Sequence, residues 1–187
     1  HLLESFGSAE AIYAATESEL ISKAGLRADI ARKIADGYGL NQAEKELEIC
    51  RRSAVTIAAS TDSIYPNRLK FCADYPHIIY MVGDCSLPNS SMLLAIVGEK
   101  ESVSSYGSRM IAKLIEQIAE QMPETVIVGM LDSCTDSTAL RIASLYGLQS
   151  IAISSIALTE LSNNQNYRLP EEIINAGGTV ITEVGVY

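Results

Sequence analysis

One segment of this sequence has the pattern of a phosphate-binding junction. Residues 95–98 (Ala-Ile-Val-Gly) form a short apolar run that ends in glycine, and a polar loop and a long amphipathic segment follow. A strand–loop–helix junction of this kind directs backbone N–H groups and the positive end of a helix dipole at one point, where proteins bind anions. The pattern therefore predicts an anion site at residues 98–107.

Other reactive side chains do not form a catalytic or metal-binding pattern. Asp132, Cys134 and Asp136 lie close together in sequence but have no histidine or base nearby, so we interpret them as a polar turn in which Asp136 caps a helix. The four cysteines lack the close pairs that zinc sites use. We therefore expect no metal, no cofactor and no enzymatic activity.

The elements that would position the anion site alternate regularly. Apolar strands are predicted at residues 93–97, 125–128, 150–153 and 179–182, and helices at 105–121, 137–146 and 169–176. Near-continuous apolar strands separated by helices indicate a parallel sheet, so we predict a Rossmann-like doubly wound α/β fold covered by helices on both faces. The loops after Gly98, Gly129 and Ser154 should then lie at one edge of the sheet.

The N-terminal quarter has helical periodicity instead. We predict a small all-helical domain at residues 1–52, of the SAM or helix-hairpin-helix type, and the α/β domain at 53–187. The turn at Gly25 and Leu26 leaves two interpretations open: a hairpin that binds DNA phosphate, or a packing module without a ligand.

Composition limits the classes of partner. The chain has 187 residues and a net charge of −9, of which residues 91–187 contribute −6. The predicted sheet half therefore lacks the basic surface of a strong nucleic-acid binder. No apolar stretch of about 20 residues is present, and the start lacks the basic region of a signal peptide, so we expect a cytoplasmic protein that does not contact membranes.

The predicted sheet is shorter than usual for its class. Four strands are predicted where doubly wound sheets commonly have five or six, and the chain does not begin with Met, so we expect a piece of a longer protein. If the sheet ended at residues 179–183, an exposed edge would remain there. Exposed edges pair with other chains, so we also expect a homodimer.

Three segments carry a resemblance to a known family. Residues 3–11 form a helical start, and residues 95–98 with 104–107 read A-I-V-G and S-x-Y-G. Between them, residues 62–69 read D-x-x-Y-P-x-x-L, and residues 76–84 are similar to P-x-x-L-Y-x-x-G-D. The chain thereby resembles the DprA/Smf family of DNA-processing proteins along nearly its whole length.

The resemblance implies a function in DNA processing. Members bind single-stranded DNA, protect it and help to load the recombinase RecA during natural transformation, and they act as dimers. The resemblance assigns the DNA contact here to seven positions: Gly98, Lys100, Ser104, Arg109, Gly129, Arg141 and Asn166.

The site departs from the family pattern. Where the family has G-S-R, this chain has Gly98, Glu99 and Lys100, and Glu101 adds a second carboxylate. Lysine lacks the planar fork with which arginine binds phosphate, and the carboxylates repel it. Two alternatives therefore stay open: an interaction module that has lost DNA binding, and a nucleotide-binding enzyme similar to phosphoribohydrolases, whose Gly-Gly-Thr loop resembles residues 177–179.

Overall fold

A computed structural model describes residues 2–163 and 168–186. Its contacts divide the chain into two compact units, His1–Glu48 and Ile49–Tyr187. The division falls inside a helix, a few residues before the boundary at 52/53 that the sequence predicts. Each unit has its own hydrophobic core.

The first unit is helical, as its periodicity predicts. Ser8 and Thr16 accept hydrogen bonds from the first turns of α2 and α3, and Gly25 ends α3 in the left-handed conformation that glycine favours. Four residues, Ile12, Ala15, Leu20 and Ala31, form its buried core. Its helices are α1 (Leu2–Phe6), α2 (Ala9–Ala14), α3 (Glu17–Ala24), α4 (Ala28–Ala35) and α5 (Leu40–Arg52), the last of which continues into the second unit.

The second unit is a mixed α/β structure. Its strands are β1 (Thr56–Ala59), β2 (Ile78–Gly83), β3 (Leu93–Ala95), β4 (Val126–Met130), β5 (Ser150–Ile153) and β6 (Thr179–Thr182). Its helices are α6 (Ser105–Gln121), α7 (Cys134–Leu145), α8 (Leu158–Asn163) and α9 (Arg168–Asn175). Two short 3₁₀ turns, Asn67–Phe71 and Leu87–Asn89, flank β2.

Within the described residues, six strands form one sheet in the order β1-β2-β6-β5-β4-β3. The four predicted strands are parallel neighbours, which confirms the predicted α/β core. The premise of an exposed edge at β6 is wrong, because β2 pairs with β6 in antiparallel register, Tyr80 opposite Thr182. The edges of the sheet are β1 and β3 instead.

The arrangement differs in one respect from the doubly wound pattern. Each crossover from β3 to β6 steps in the same direction, so the right-handed connections place α6, α7 and α9 on one face. Alternate residues of β4 show the division: Ile127 packs in the core with the helices, whereas Val126 and Val128 face the other side. That other face carries the 3₁₀ turns and an apolar cavity of about 500 Å³.

Candidate nucleic-acid interface

The predicted loops lie together at one end of the sheet, where three parallel strands have their carboxyl ends. β3 leads into the loop of residues 98–104, which we call the first loop, and β4 leads into the turn before α7. Parallel register places Ala95 beside Val128 and Gly129 beside Ala152, so these strands end at the same side. The placement of the loops after Gly98, Gly129 and Ser154 is as predicted.

A buried carboxylate joins these loops. Asp136 is 1 % exposed. Its Oδ1 accepts from the Gly98 N–H at 3.1 Å, and its Oδ2 accepts from the Met130 N–H at 3.1 Å. The Ser133 hydroxyl also donates to Oδ1, at 2.6 Å. The backbone donors at the ends of β3 and β4 therefore bind an internal anion.

The first backbone amides of α7 also have hydrogen-bond acceptors within the protein. The Cys134 N–H donates to the Lys100 carbonyl at 2.8 Å, and the Thr135 N–H donates to the Glu99 carbonyl at 3.3 Å. Ser133 is the N-cap, since its Oγ accepts from the Asp136 N–H. The expectation that Asp136 caps this helix is therefore wrong. The Ser-x-x-Asp spacing at residues 133–136, typical of a capping box, was the signal that could have located this pair.

Gly98 and Gly129 are needed for close packing. A Cβ at Gly98 would lie 2.5 Å from the Thr135 Cγ2, and one at Gly129 would lie 3.0 Å from the Asp136 Cβ. Both glycines thus let α7 approach the ends of β3 and β4. This packing explains their presence without a ligand.

Lys100 has an internal partner. Its Nζ lies 3.2 Å from Oδ2 of Asp132, a side chain that is 27 % exposed. Partial burial raises the pKa of the Asp132 carboxyl, but hydrogen bonds from Lys100, its own backbone and Ser155 outweigh this effect and bring it below its usual range. Asp132 therefore competes with any phosphate for Lys100.

At this end of the sheet, the N-terminus of α6 has backbone amides that a ligand could bind. The Ser104 Oγ accepts from the Gly107 N–H at 3.0 Å, which satisfies one of the first amides. The Ser105 and Tyr106 amides have no acceptor in the described part of the chain. Tyr106 is 66 % exposed. Arg109, one turn further on, is exposed and makes no ion pair with any described residue.

The remaining predicted positions are not brought to this point. Arg141 lies two turns into α7, where its guanidinium pairs with Glu172 of α9 at 3.0 Å. Asn166 lies outside the described residues. Gly177 and Gly178 precede β6 and therefore lie at the amino ends of the parallel strands, whereas the first loop lies at their carboxyl ends.

The described residues contain neither a metal-binding cluster nor a membrane-spanning helix. No group of three His, Cys, Asp or Glu side chains among them is arranged to hold a metal ion. No helix in residues 2–163 or 168–186 combines the length and apolar character needed to cross a bilayer.

Comparison with known proteins identifies relatives of the fold. The structure is similar to DNA processing protein A from Streptococcus pneumoniae, with a TM-score of 0.70 and 20 % identity, over 92 % of this chain and 57 % of that one. It is also similar to DNA processing protein A from Helicobacter pylori, whose structure describes its single-stranded DNA binding mode, with a TM-score of 0.56 and 22 % identity, over 69 % of this chain and 55 % of that one. The chain thus spans slightly more than half the length of either protein.

Sequence comparison agrees with the fold. No curated protein matches the chain. The family model described as DNA recombination-mediator protein A matches residues 56–186, which is well over half of the sequence. The chain therefore belongs to the DNA recombination-mediator protein A family.

Proposed function

We propose that this protein binds the backbone of single-stranded DNA at the first loop and the N-terminus of α6, and that it does so weakly. The observation that carries the proposal is the set of donors left available there. The Ser105 and Tyr106 amides lack internal acceptors, and Arg109 lacks a carboxylate partner in the described residues. Family membership makes a DNA strand the anion that fits these donors best.

A single strand of DNA would make three kinds of contact with this surface. A phosphate would accept from the α6 amides and approach Arg109, favoured by the positive end of the helix dipole. The exposed ring of Tyr106 offers a surface on which a base can stack, as aromatic side chains do in proteins that bind single strands. Lys100 would contribute after leaving Asp132. No step of this function needs a catalytic group, and we propose a mediator without enzymatic activity.

The same proposal includes two partners, a RecA-type recombinase and a second copy of this chain. A protein that holds single strands in the cytoplasm can hand them to a RecA-type recombinase, and two copies acting together would hold a longer strand. The helix-hairpin-helix interpretation of the first unit is not needed for this function, because Arg27 after the Gly25 turn already pairs with Asp29 at 3.0 Å.

A second candidate is an interaction module that no longer binds DNA. The occupied amides of Gly98 and Met130 favour it, as does the pairing of Lys100 with Asp132. Glu99 and Glu101 add exposed carboxylates to the same loop. The two candidates differ in one measurable property, the affinity for an unstructured DNA strand.

Fluorescence anisotropy with labelled oligo-dT at low salt tests the proposal. We expect a Kd in the range of roughly 10 to 100 µM, which is typical of non-specific contacts. Asp132→Asn should raise the affinity by about threefold to tenfold, because it removes a carboxylate and releases Lys100. The gain should shrink as salt is raised, since screening weakens the attraction that Lys100 regains.

Glu124→Gln is the matched control. It removes one negative charge from the exposed turn after α6, away from the first loop, and should leave the affinity nearly unchanged. Absence of binding in both variants and in the unmodified chain would favour the interaction module. Equal gains from Asp132→Asn and Glu124→Gln would mean that only net charge matters and that no site exists at the first loop.

A further inference from the structure

The 3₁₀ turn Asn67–Phe71 carries an aromatic side chain that the core of the second unit does not use. Phe71 is 90 % exposed, more than any other large apolar residue that the structure describes. Leu69, in the same turn, packs against the buried cluster beneath it and holds the turn in place. Arg68 and Lys70 lie on either side of Leu69 in sequence. We call Arg68, Lys70 and Phe71 together the basic aromatic turn.

The two cations of this turn keep their positive charge available. Neither makes an ion pair with any residue that the structure describes. The Arg68 guanidinium donates to the Ser90 and Ser91 carbonyls, which fix its position without neutralising it. The Lys70 Nζ lies 5.6 Å from the centre of the Tyr65 ring, a cation–π contact that also leaves the charge in place. Both cations can therefore bind an anion from outside the protein.

These cations differ from others in this acidic chain, whose net charge is −9. Lys100 and Arg141 are each paired with a carboxylate. Asp74 follows the turn by three residues, and Glu183 lines the same cavity as Arg68, yet neither carboxylate pairs with the turn. Cations beside an exposed ring are the combination with which proteins bind single-stranded nucleic acid, because the cations attract phosphates and the ring stacks on a base.

A continuous surface connects the basic aromatic turn with the first loop. Arg68 lines the apolar cavity of about 500 Å³, and so does Ser155, which follows the carboxyl end of β5. The Ser155 hydroxyl donates to Oδ2 of Asp132 at 3.3 Å, and the same oxygen lies 3.2 Å from the Lys100 Nζ of the first loop. A DNA strand that lies on the first loop can therefore continue past Ser155 to the turn.

We propose that the basic aromatic turn is a second contact for single-stranded DNA, in which a base stacks on the Phe71 ring and phosphates bind Arg68 and Lys70. This inference rests on the proposed function, since the first loop and α6 would hold the neighbouring part of the same strand. The bases of a duplex are stacked on one another, so the Phe71 ring selects single strands over double strands. A protein partner could also cover the ring, and binding without base stacking is the result that would point to it.

Fluorescence of a single tryptophan tests the stacking directly. The chain contains no tryptophan, so Phe71→Trp introduces one fluorophore at the turn. Its emission should fall as oligo-dT is added at low salt, with the same half-saturation as the anisotropy signal, because a stacked base quenches the indole. A duplex of the same length should leave the emission nearly unchanged. Leu145→Trp is the matched control, since Leu145 is 79 % exposed at the end of α7, near the amino ends of the strands, and its emission should not change.

The affinity for oligo-dT gives an independent measurement. Phe71→Ala should weaken binding by about fivefold or more, and Lys70→Gln by about threefold with a smaller salt dependence, whereas Leu145→Ala should not alter it. If Phe71→Trp is not quenched although the unmodified chain binds and Tyr106→Ala weakens binding, this inference is wrong and the proposed function stands. If Phe71→Ala weakens binding but Tyr106→Ala and Asp132→Asn leave it unchanged, the turn binds DNA and the first loop does not. A chain that binds no oligo-dT in either assay contradicts both.

Discussion

At the scale of single residues, Asp136 determines the geometry of the candidate site. Its carboxylate receives the Gly98 and Met130 amides and the Ser133 hydroxyl, so one buried side chain holds the ends of β3 and β4 against α7. An anion-binding arrangement is present here, but the anion it binds belongs to the protein. DNA binding must therefore use donors outside this set.

Replacing Asp136 by asparagine should destabilise the second unit. An amide side chain offers one oxygen in place of two and turns an NH₂ group toward a backbone donor, so either Gly98 or Met130 loses its acceptor. We expect the free energy of unfolding to fall by about 2–3 kcal/mol, as measured by urea denaturation. Ser137→Ala, which removes only a hydroxyl bond to the Cys134 carbonyl, should cost less than about 1 kcal/mol. Equal losses would show that Asp136 has no special role.

The sequence predicts which loops lie together at the carboxyl ends of the strands, but not the contacts between those loops. Gly98, Lys100, Ser104 and Gly129 lie at one edge of the sheet as predicted, because the ends of parallel strands must meet there. The pairing of Lys100 with Asp132, and of the Gly98 amide with Asp136, joins residues more than thirty positions apart. Local periodicity holds no information on such contacts, which depend on how α7 packs beside the first loop.

At the scale of elements, α6 depends on its N-cap. The Ser104 side chain accepts from the Gly107 N–H, so Ser104→Ala should cost about 1 kcal/mol of stability in urea denaturation. Ser105→Ala is the matched control, because this neighbouring serine lies inside the first turn and its hydroxyl makes no bond among the described residues. Alanine there should be neutral or slightly stabilising. A loss at Ser105 as large as that at Ser104 would contradict the capping role.

The strands show which elements a sequence can predict. The four apolar runs from β3 to β6 were recognisable because each is followed or preceded by a helix with a clear period. The sequence of β2 is also an apolar run with several β-branched residues, but no local pattern indicates its partner, since β2 joins β6 across about one hundred residues of chain. The prediction of an exposed edge at β6 was wrong for that reason.

At the scale of the whole molecule, the two units should differ in stability. The core of the first unit consists of four buried residues, whereas the main cluster of the second unit contains residues from the five helices α5 to α9 and from four strands. Hydrogen exchange measured by mass spectrometry should therefore show α1–α4 exchanging well before β4 and β5. Equal protection of the two units would mean that they unfold together as one cooperative body.

The interior position of β6 has a consequence for synthesis of the chain. The hairpin of β1 and β2 reaches the rest of the sheet only through β6, and their paired residues are about one hundred positions apart. At ordinary translation rates, roughly 5 to 20 s pass between the two. During that interval the backbone groups of β2 that later pair with β6 have no partner in the sheet. Pairing of the hairpin with the parallel strands therefore waits until β6 has left the ribosome.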